Sequence, residues 1–382
     1  MNLILVVLYI FTIIYAFLPI KIHNKKNREY FWIWCAILFC VLTITSNSYA
    51  DLYNYENYYD DVNIKKWPIS YRAMPIGWGL LCKFFGVFNM TYRGMFTCII
   101  FFSMFLIHRF IRKLNCNEKV FWGLFIIFPG LIQIVQLRFF LGSSIAIFAF
   151  GFLLRENTEK KKQRKNVILF IFGIILSFFI HNSCLFLAVL IFAMFFKRLN
   201  IPKILAVSLL GIFILIVLMP FVPKFLLMFI HPFYVERYFT ASTSRTTTIR
   251  FIKIILIWIL NVSLAYFSVF SDIKIKKNDS SIAFNSRLVV SRCFSGICLL
   301  AFSIPLLYFD ENFHRYFEIG FMFLYIIFAK LPISENSKKK TSRHILLFFI
   351  LIALLYCIYV YYPFESIVKP LFRYEGLHPI FR

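Results

Sequence analysis

The polar motif at residues 133–138 contains the residues best suited to bind an anion. The run Gln133-Ile-Val-Gln136-Leu-Arg138 joins two strongly apolar stretches across almost no loop. An arginine guanidinium offers five donors in a planar fork that matches phosphate or carboxylate. A helix that begins near residue 139 would add its positive end. We therefore predict that Gln136 and Arg138 bind an anionic substrate, the alternative being an arginine that only extends to the membrane interface.

A second motif, His181-Asn182-Ser183, also joins two apolar stretches without a true loop. An imidazole accepts or donates a proton near neutral pH, and Ser183 is placed to cap the following helix. His181 is therefore a candidate catalytic base or acid. The alternative is a structural histidine that forms hydrogen bonds at a helix end.

A third group of polar residues is the tyrosine-rich stretch 51–61, which holds four of the chain's 17 acidic residues. Aromatic rings stack on sugar rings, and carboxylates bind hydroxyl groups or remove their protons. We predict a catalytic role for Asp51 and sugar binding by Tyr53, Tyr55 and Tyr58. The alternative is a solvated loop with tyrosines at the membrane interface.

The composition places these motifs in a membrane protein. Of 382 residues, 61% are hydrophobic and 51 are Phe, against roughly 45–50% apolar residues in soluble domains. This excludes a soluble enzyme, a disordered chain and a secreted disulfide scaffold. The formal net charge of +25 comes from short basic runs between apolar stretches. The positive-inside rule of membrane proteins explains such runs, so they do not predict a nucleic-acid partner.

The scattered cysteines match no metal-ligand spacing, and we expect neither a metal nor a cofactor.

The apolar windows predict an all-α polytopic membrane protein. A membrane-spanning helix needs about 20 mainly apolar residues, and we predict about twelve such helices in a single transmembrane domain over residues 1–382. The windows are 2–20, 30–47, 94–111, 119–136, 139–155, 166–181, 183–197, 203–220, 250–270, 287–308, 314–331 and 343–362.

The basic runs orient these helices. Runs such as 155–165 are placed in the cytoplasm, which leaves 48–74 and 221–249 as loops on the outer face. The apolar segment 75–91 contains Gly77, Gly79 and Gly86. If this segment crossed the membrane completely, the orientation of the preceding segments would be inverted relative to all later ones. We therefore predict a re-entrant half-helix, which is tolerated at membrane depth where it faces protein or water.

A few arginines lie on the outer face, against this charge trend. Arg237 lies in the outer segment 221–249, Arg250 follows it, and Arg315 begins a later apolar window from the same side. We predict that these three residues bind an anionic substrate group together with Arg138. A lipid-linked pyrophosphate would satisfy this requirement.

The order of these motifs resembles the EpsG-like branch of the Wzy-type polysaccharide polymerases. The resemblance rests on Asp51 with Tyr53 and Tyr55 or Tyr58, on Gln136 and Arg138 before Gly142-Ser143-Ser144, on Phe179-x-His181-x-Ser183, and on Arg315-Tyr316. One departure is that the family often has Glu-Pro-Gly after the acidic stretch, where this chain reads Met74-Pro75-Ile76-Gly77. The acidic role would then fall to residues 51–61.

The resemblance implies a GT-C-like integral membrane glycosyltransferase. Such an enzyme would polymerise undecaprenyl-pyrophosphate-linked oligosaccharide repeat units into O-antigen, capsular polysaccharide or exopolysaccharide, by inverting transfer at the outer face of the bacterial inner membrane. Arg138 would stabilise the leaving pyrophosphate, with Arg237, Arg250 and Arg315 as helpers, and His181 or Asp51 would be the base. The expected partners are the lipid-linked oligosaccharide, the bilayer, a chain-length regulator and a flippase.

Three other functions remain open at this point. A flippase or other secondary transporter would need charges near the midplane of a repeated architecture, and no repeat is evident here. An O-antigen ligase would use the same chemistry on a different acceptor. A membrane acyltransferase acting on surface sugars would also use a histidine.

Overall fold

The computed structural model describes residues 2–18, 30–46, 50–64, 74–154, 160–196, 200–228, 232–236, 247–273, 281–330, 337–361, 368–374 and 376–381. These residues are overwhelmingly helical, and the only β-type pairings among them are two isolated bridges. The principal helices are α1 (Leu3–Phe17), α2 (Phe31–Thr45), α3 (Ala50–Ile64), α4 (Ile76–Val87), α5 (Tyr92–Lys113), α6 (Glu118–Val135), α7 (Leu137–Leu153), α8 (Lys160–Ile180), α9 (Asn182–Phe195, which is a 3₁₀ helix), α10 (Ile201–Leu218), α11 (Thr248–Ile273), α12 (Ser281–Leu299), α13 (Arg315–Ala329) and α14 (Ser337–Tyr361).

Shorter helical turns occupy Met219–Phe221, Val222–Leu226, Pro232–Val235, Leu300–Ser303, Pro305–Tyr308, Glu311–His314 and Lys369–Leu371. Local sequence explains several helix ends. The side chains of Thr91, Asn117 and Asn200 cap α5, α6 and α10 by accepting hydrogen bonds from backbone N–H groups, as short polar side chains do at helix N-termini. Pro129 interrupts α6, because Phe128 and Pro129 have non-helical backbone angles and proline cannot complete the helical hydrogen-bond pattern.

The helix lengths confirm an all-α polytopic membrane protein but not the predicted number of spans. Among the described residues, seven helices are long and apolar enough to cross a membrane. Each remaining predicted window coincides with a helix of 14 to 17 residues. At 1.5 Å per residue in an α-helix, or about 2 Å in the 3₁₀ helix α9, each of them is shorter than the roughly 30 Å hydrocarbon core. The count of twelve therefore stays a prediction.

Many large apolar side chains lie on the surface. On α10, Leu209, Phe213 and Val217 are each more than half exposed. Continuous apolar surface of this kind is unfavourable in water and favourable against lipid. By contrast, most of α12 and α13 is buried, so these helices form an interior.

One correction concerns residues 48–74, which we predicted to be a loop. Residues 50–64 form the helix α3. Its buried side chains are Leu52, Tyr58, Tyr59 and Val62, with Tyr55 half-buried. Spacings of three, four and seven residues place these side chains on one face of a helix. The acidic composition hid this pattern from the sequence analysis.

The chain divides into two compact units. Unit 1 comprises Met1–Ala149, Phe172–Leu185 and Cys357–Arg382, and unit 2 comprises Phe150–Ile171 and Phe186–Tyr356. In unit 1, α2 packs against α5 and α6. In unit 2, α13 packs against α11 and α12.

Several chain segments meet at one end of unit 1. Arg93, at the start of α5, donates hydrogen bonds to the Thr43 carbonyl at 2.8 Å and to Ser46 Oγ at 3.2 Å. Near the C-terminus, the backbone N–H of His378 donates to the Ile44 carbonyl at 3.2 Å. The end of α2, the beginning of α5 and the C-terminal segment therefore lie together.

Candidate functional site

Gln136 is the only residue between α6 and α7. Its backbone N–H donates to the Ile132 carbonyl at 2.9 Å, and its own carbonyl accepts from the Phe140 N–H at 2.9 Å. One residue thus ends one helix and begins the next. The predicted absence of a loop is confirmed, and α7 begins at Leu137 rather than at 139. Arg138 consequently lies in the first turn of a 17-residue helix.

The guanidinium of Arg138 lies among aromatic and sulfur groups. Its central carbon is 4.8 Å from the centroid of the Tyr55 ring, and Nη1 contacts the Met74 sulfur at 2.9 Å. The Tyr55 ring in turn lies 6.2 Å from the Trp78 ring. Arg138 itself is half-buried. A cation in such a low-polarity setting attracts an anion more strongly than it would in water.

Gln136 has a buried polar atom that lacks a partner. The residue is 8% exposed. Within the described part of the chain, its Oε1 accepts no hydrogen bond. Leaving a buried acceptor unsatisfied costs about 1–3 kcal/mol. A ligand, an ordered water or an ion can supply the missing hydrogen bond.

His181 lies beside the same turn of α7. Its ring packs edge-on against Phe139, with centroids 5.6 Å apart, and its Nδ1 is 2.7 Å from Ser183 Oγ. A Cβ atom added to Gly142 would lie 2.7 Å from the Cys184 sulfur and 3.5 Å from His181 Cβ. Glycine at 142 therefore allows α7 to approach the 181–184 turn closely.

A second close approach brings α4 to this region. A Cβ atom on Gly77 would lie 2.7 Å from the carbonyl oxygen of Phe179, which is backbone and cannot swing away. Gly77 thus fixes the start of α4 against the end of α8. We call the residues assembled here the Arg138 cluster: Tyr55, Met74, Trp78, Gln136, Arg138 and His181.

The other residues predicted in unit 1 have different surroundings. Tyr53 is 61% exposed, whereas Tyr58 is 2% exposed. Because the Tyr58 ring is packed inside unit 1, sugar stacking is now proposed only for Tyr53 and Tyr55. Asp51 lies in the first turn of α3, but its side chain lies outside the described part of the structure. Arg237 also lies outside the described residues.

Arg250 and Arg315 belong to unit 2. Arg250 lies in the first turn of α11, and its backbone N–H is 3.4 Å from Thr247 Oγ1. Arg315 begins α13 and donates from Nη2 to Asn312 Oδ1 at 2.8 Å. Both arginines thus lie at helix N-termini. Within unit 1, Arg138 contacts Tyr55 and His181 packs against the neighbouring Phe139, whereas these two arginines are part of unit 2.

Several buried charged residues were not among the candidates predicted from the sequence. Arg292 is 3% exposed and donates to the carbonyls of Leu153 and Met194. Arg93 binds the Thr43 carbonyl in the same manner. Both side chains satisfy carbonyls at helix C-terminal ends. The sequence did contain a sign of both residues, because each is an arginine within or beside a predicted apolar window.

Two histidine–carboxylate pairs were also missed. His314 Nε2 lies 3.3 Å from Glu318 Oε1 in unit 2, and His108 Nδ1 lies 3.2 Å from Glu118 Oε2 in unit 1. The Trp32 ring stacks on His108 at 4.6 Å. In each pair, the contact with the histidine offsets part of the free-energy cost of burying the carboxylate. Among the described residues, no three His, Cys, Asp or Glu side chains form a group that could hold a metal ion.

The fold and the Arg138 cluster define a polytopic all-helical membrane protein with a half-buried cation at the start of one helix. A model of the EpsG family matches residues 30–375, which is nearly the whole chain. The chain therefore belongs to the EpsG family, a family of Wzy-like polymerases, and the resemblance found in the sequence is confirmed. No curated protein and no solved structure matches the chain.

Proposed function

We propose that this protein polymerises undecaprenyl-pyrophosphate-linked oligosaccharide repeat units into a surface polysaccharide. The enzyme would be a GT-C-like glycosyltransferase that acts at the outer face of the bacterial inner membrane. The observation that carries the proposal is the half-buried Arg138 guanidinium held against the Tyr55 ring, in a chain of the EpsG family. A cation next to an aromatic face suits a ligand in which a phosphate adjoins a sugar.

The main chemical demand of the reaction is the departure of a pyrophosphate. The acceptor hydroxyl attacks the anomeric carbon, and the bond from that carbon to the pyrophosphate oxygen breaks. Negative charge grows on the leaving oxygen, and a fixed cation stabilises it most where water is excluded. We assign this role to Arg138, and the roles of Arg237, Arg250 and Arg315 as helpers stay predictions from the sequence.

The acceptor hydroxyl must lose a proton as it attacks. His181 and Asp51 are the proposed bases, because each can accept a proton at neutral pH. The contact between His181 Nδ1 and Ser183 Oγ fixes the ring orientation. Tyr53 and Tyr55 are proposed to stack on sugar rings, and Gln136 to bind a polar group of the substrate.

Contacts within unit 1 support the proposed orientation. Arg93 binds Thr43 and Ser46, so the chain leaves α2 and enters α5 at the same end of the unit. Tyr59 of α3 donates to the Met90 carbonyl at 2.7 Å, close to that end. A 12-residue α4 between these points is compatible with a half-helix that returns to the outer face.

Deletion of the gene tests the proposal. We expect surface polysaccharide to be reduced to a single repeat unit and lipid-linked single repeat units to accumulate. Bare acceptor with lipid-linked material trapped on the cytoplasmic side would indicate a flippase. Bare acceptor with long lipid-linked chains on the outer face would indicate a ligase. Polysaccharide of unchanged length would overturn the proposal.

A further inference from the structure

Two buried polar groups in the Arg138 cluster have complementary hydrogen-bonding character. Trp78 is 0% exposed, and its ring is tilted against the Tyr55 ring with the centroids 6.2 Å apart. Across the described residues, its indole Nε1–H donates to no acceptor. Gln136 instead has an unsatisfied acceptor, since its Oε1 accepts a hydrogen bond from no donor among the described residues. The cluster thus holds a cation, a buried donor and a buried acceptor.

An unsatisfied indole is not by itself a binding site. Trp122 of α6 is also 0% exposed, and its Nε1 likewise has no partner among the described residues. Its ring, however, packs against Phe121 and Phe125. Trp78 differs because the ring beside it, Tyr55, also contacts the guanidinium of Arg138.

We propose that Trp78 and Gln136 recognise the phosphate-linked sugar of the substrate. Trp78 Nε1–H donates to an oxygen of that sugar, and Gln136 Oε1 accepts from a hydroxyl or amide N–H of the same sugar. Arg138 binds the adjoining phosphate. Sugars carry donors and acceptors on neighbouring atoms, whereas a pyrophosphate or a lipid chain cannot satisfy a buried acceptor. The site therefore selects the sugar as well as the phosphate.

This inference rests on the proposed function and deepens it. The expected effect is specific to the sugar, because each neutral hydrogen bond contributes about 0.5–1.5 kcal/mol and a tenfold change in affinity corresponds to about 1.4 kcal/mol. Removal of either group should lower the affinity for a sugar-bearing ligand by roughly 2- to 12-fold. The affinity for a ligand without the sugar should not change.

The test compares two probes on the purified full-length protein. One is the lipid-linked repeat unit that accumulates in the deletion strain, and the other is undecaprenyl pyrophosphate. We expect Trp78→Phe and Gln136→Leu to weaken binding of the first probe only, and Arg138→Lys to weaken binding of both. Trp122→Phe is the matched control and should leave both affinities at the wild-type value.

The outcomes separate the two proposals. Wild-type affinity of Trp78→Phe and Gln136→Leu for the repeat unit overturns the sugar-recognition proposal and leaves the polymerase proposal intact. An equal loss for both probes also overturns it, since the two groups would then act on the phosphate or on folding. A folded wild-type protein that binds neither probe contradicts the polymerase proposal itself. Thermal unfolding of each variant verifies that it is folded.

Discussion

The guanidinium carbon of Arg138 lies 4.8 Å from the centroid of the Tyr55 ring. The arginine begins α7 and the tyrosine lies in the middle of α3, so the contact joins the two motifs that the sequence analysis treated separately. A cation on an aromatic face keeps its charge while losing much of its hydration. The Tyr55 ring therefore holds the Arg138 guanidinium in place, and we propose that the guanidinium binds an anion there.

The first prediction concerns the shape of the Arg138 side chain. Arg138→Lys keeps the positive charge but loses the planar fork and its stacking on Tyr55. We expect polysaccharide chain growth to fall at least about tenfold, or roughly 1.4 kcal/mol, at a normal protein level. Gel analysis of surface polysaccharide and an immunoblot measure the two quantities. The control is Arg109→Lys, an exposed position on α5, and normal growth of the Arg138→Lys strain would refute the assignment.

The second prediction separates the Tyr55 ring from its hydroxyl. Tyr55→Phe preserves the ring face that contacts Arg138, whereas Tyr55→Leu removes it. A cation–π contact contributes about 0.5–2 kcal/mol, so we expect Tyr55→Leu to slow growth by roughly 2- to 30-fold. Tyr55→Phe should remain close to wild type. Equal defects in the two variants would show that the hydroxyl, and not the ring face, is required.

The third prediction uses the tight contact between Gly142 and Cys184. A Cβ atom at 142 would lie 2.7 Å from the Cys184 sulfur, so Gly142→Ala should displace the turn that carries His181. Overpacking of this kind costs about 1–3 kcal/mol. We expect Gly142→Ala to lower both Tm and the rate of chain growth, and Gly142→Ala/Cys184→Ala to recover part of each. Cys184→Ala alone is the control, and failure of the double variant to recover would place the strain elsewhere.

The fourth prediction concerns Arg292, which we expect to be structural. Its guanidinium donates to the Leu153 and Met194 carbonyls, and hydrogen bonds to charged groups contribute about 1.5–3 kcal/mol each. Arg292→Ala should therefore lower Tm by several degrees and reduce the amount of folded protein. The exposed Arg287 of the same helix provides the control Arg287→Ala. An Arg292→Ala protein with unchanged Tm but no activity would instead indicate a role in substrate binding.

The fifth prediction concerns the membrane topology around α4. Arg93 binds Ser46, so we expect residues 47–91 to leave and re-enter the membrane at the outer face. Alkaline phosphatase fused after residue 91 should be active, and the same reporter fused after residue 115 should be inactive. An inactive fusion after residue 91 would show that α4 crosses the membrane completely.

The sequence by itself determined the class of the protein and most of its candidate residues. An apolar content of 61% and basic runs between long apolar stretches indicate a polytopic helical membrane protein, because a helix needs about 20 apolar residues to span the bilayer. The junctions at Gln136 and His181 were predictable because each polar group lies between two apolar stretches that are both long enough to form a helix.

Tertiary structure decided which of these residues act together. The α3 helix was hidden because acidic residues alternate with its buried face of Leu52, Tyr58, Tyr59 and Val62, and local composition does not show which side chains are covered. Only packing reveals that Tyr58 is enclosed while Tyr55 reaches Arg138. The same holds for the arginines: Arg292 and Arg138 look alike in the sequence, yet two helix-end carbonyls satisfy the first. Contacts between residues distant along the chain depend on side-chain packing, which a linear pattern does not encode.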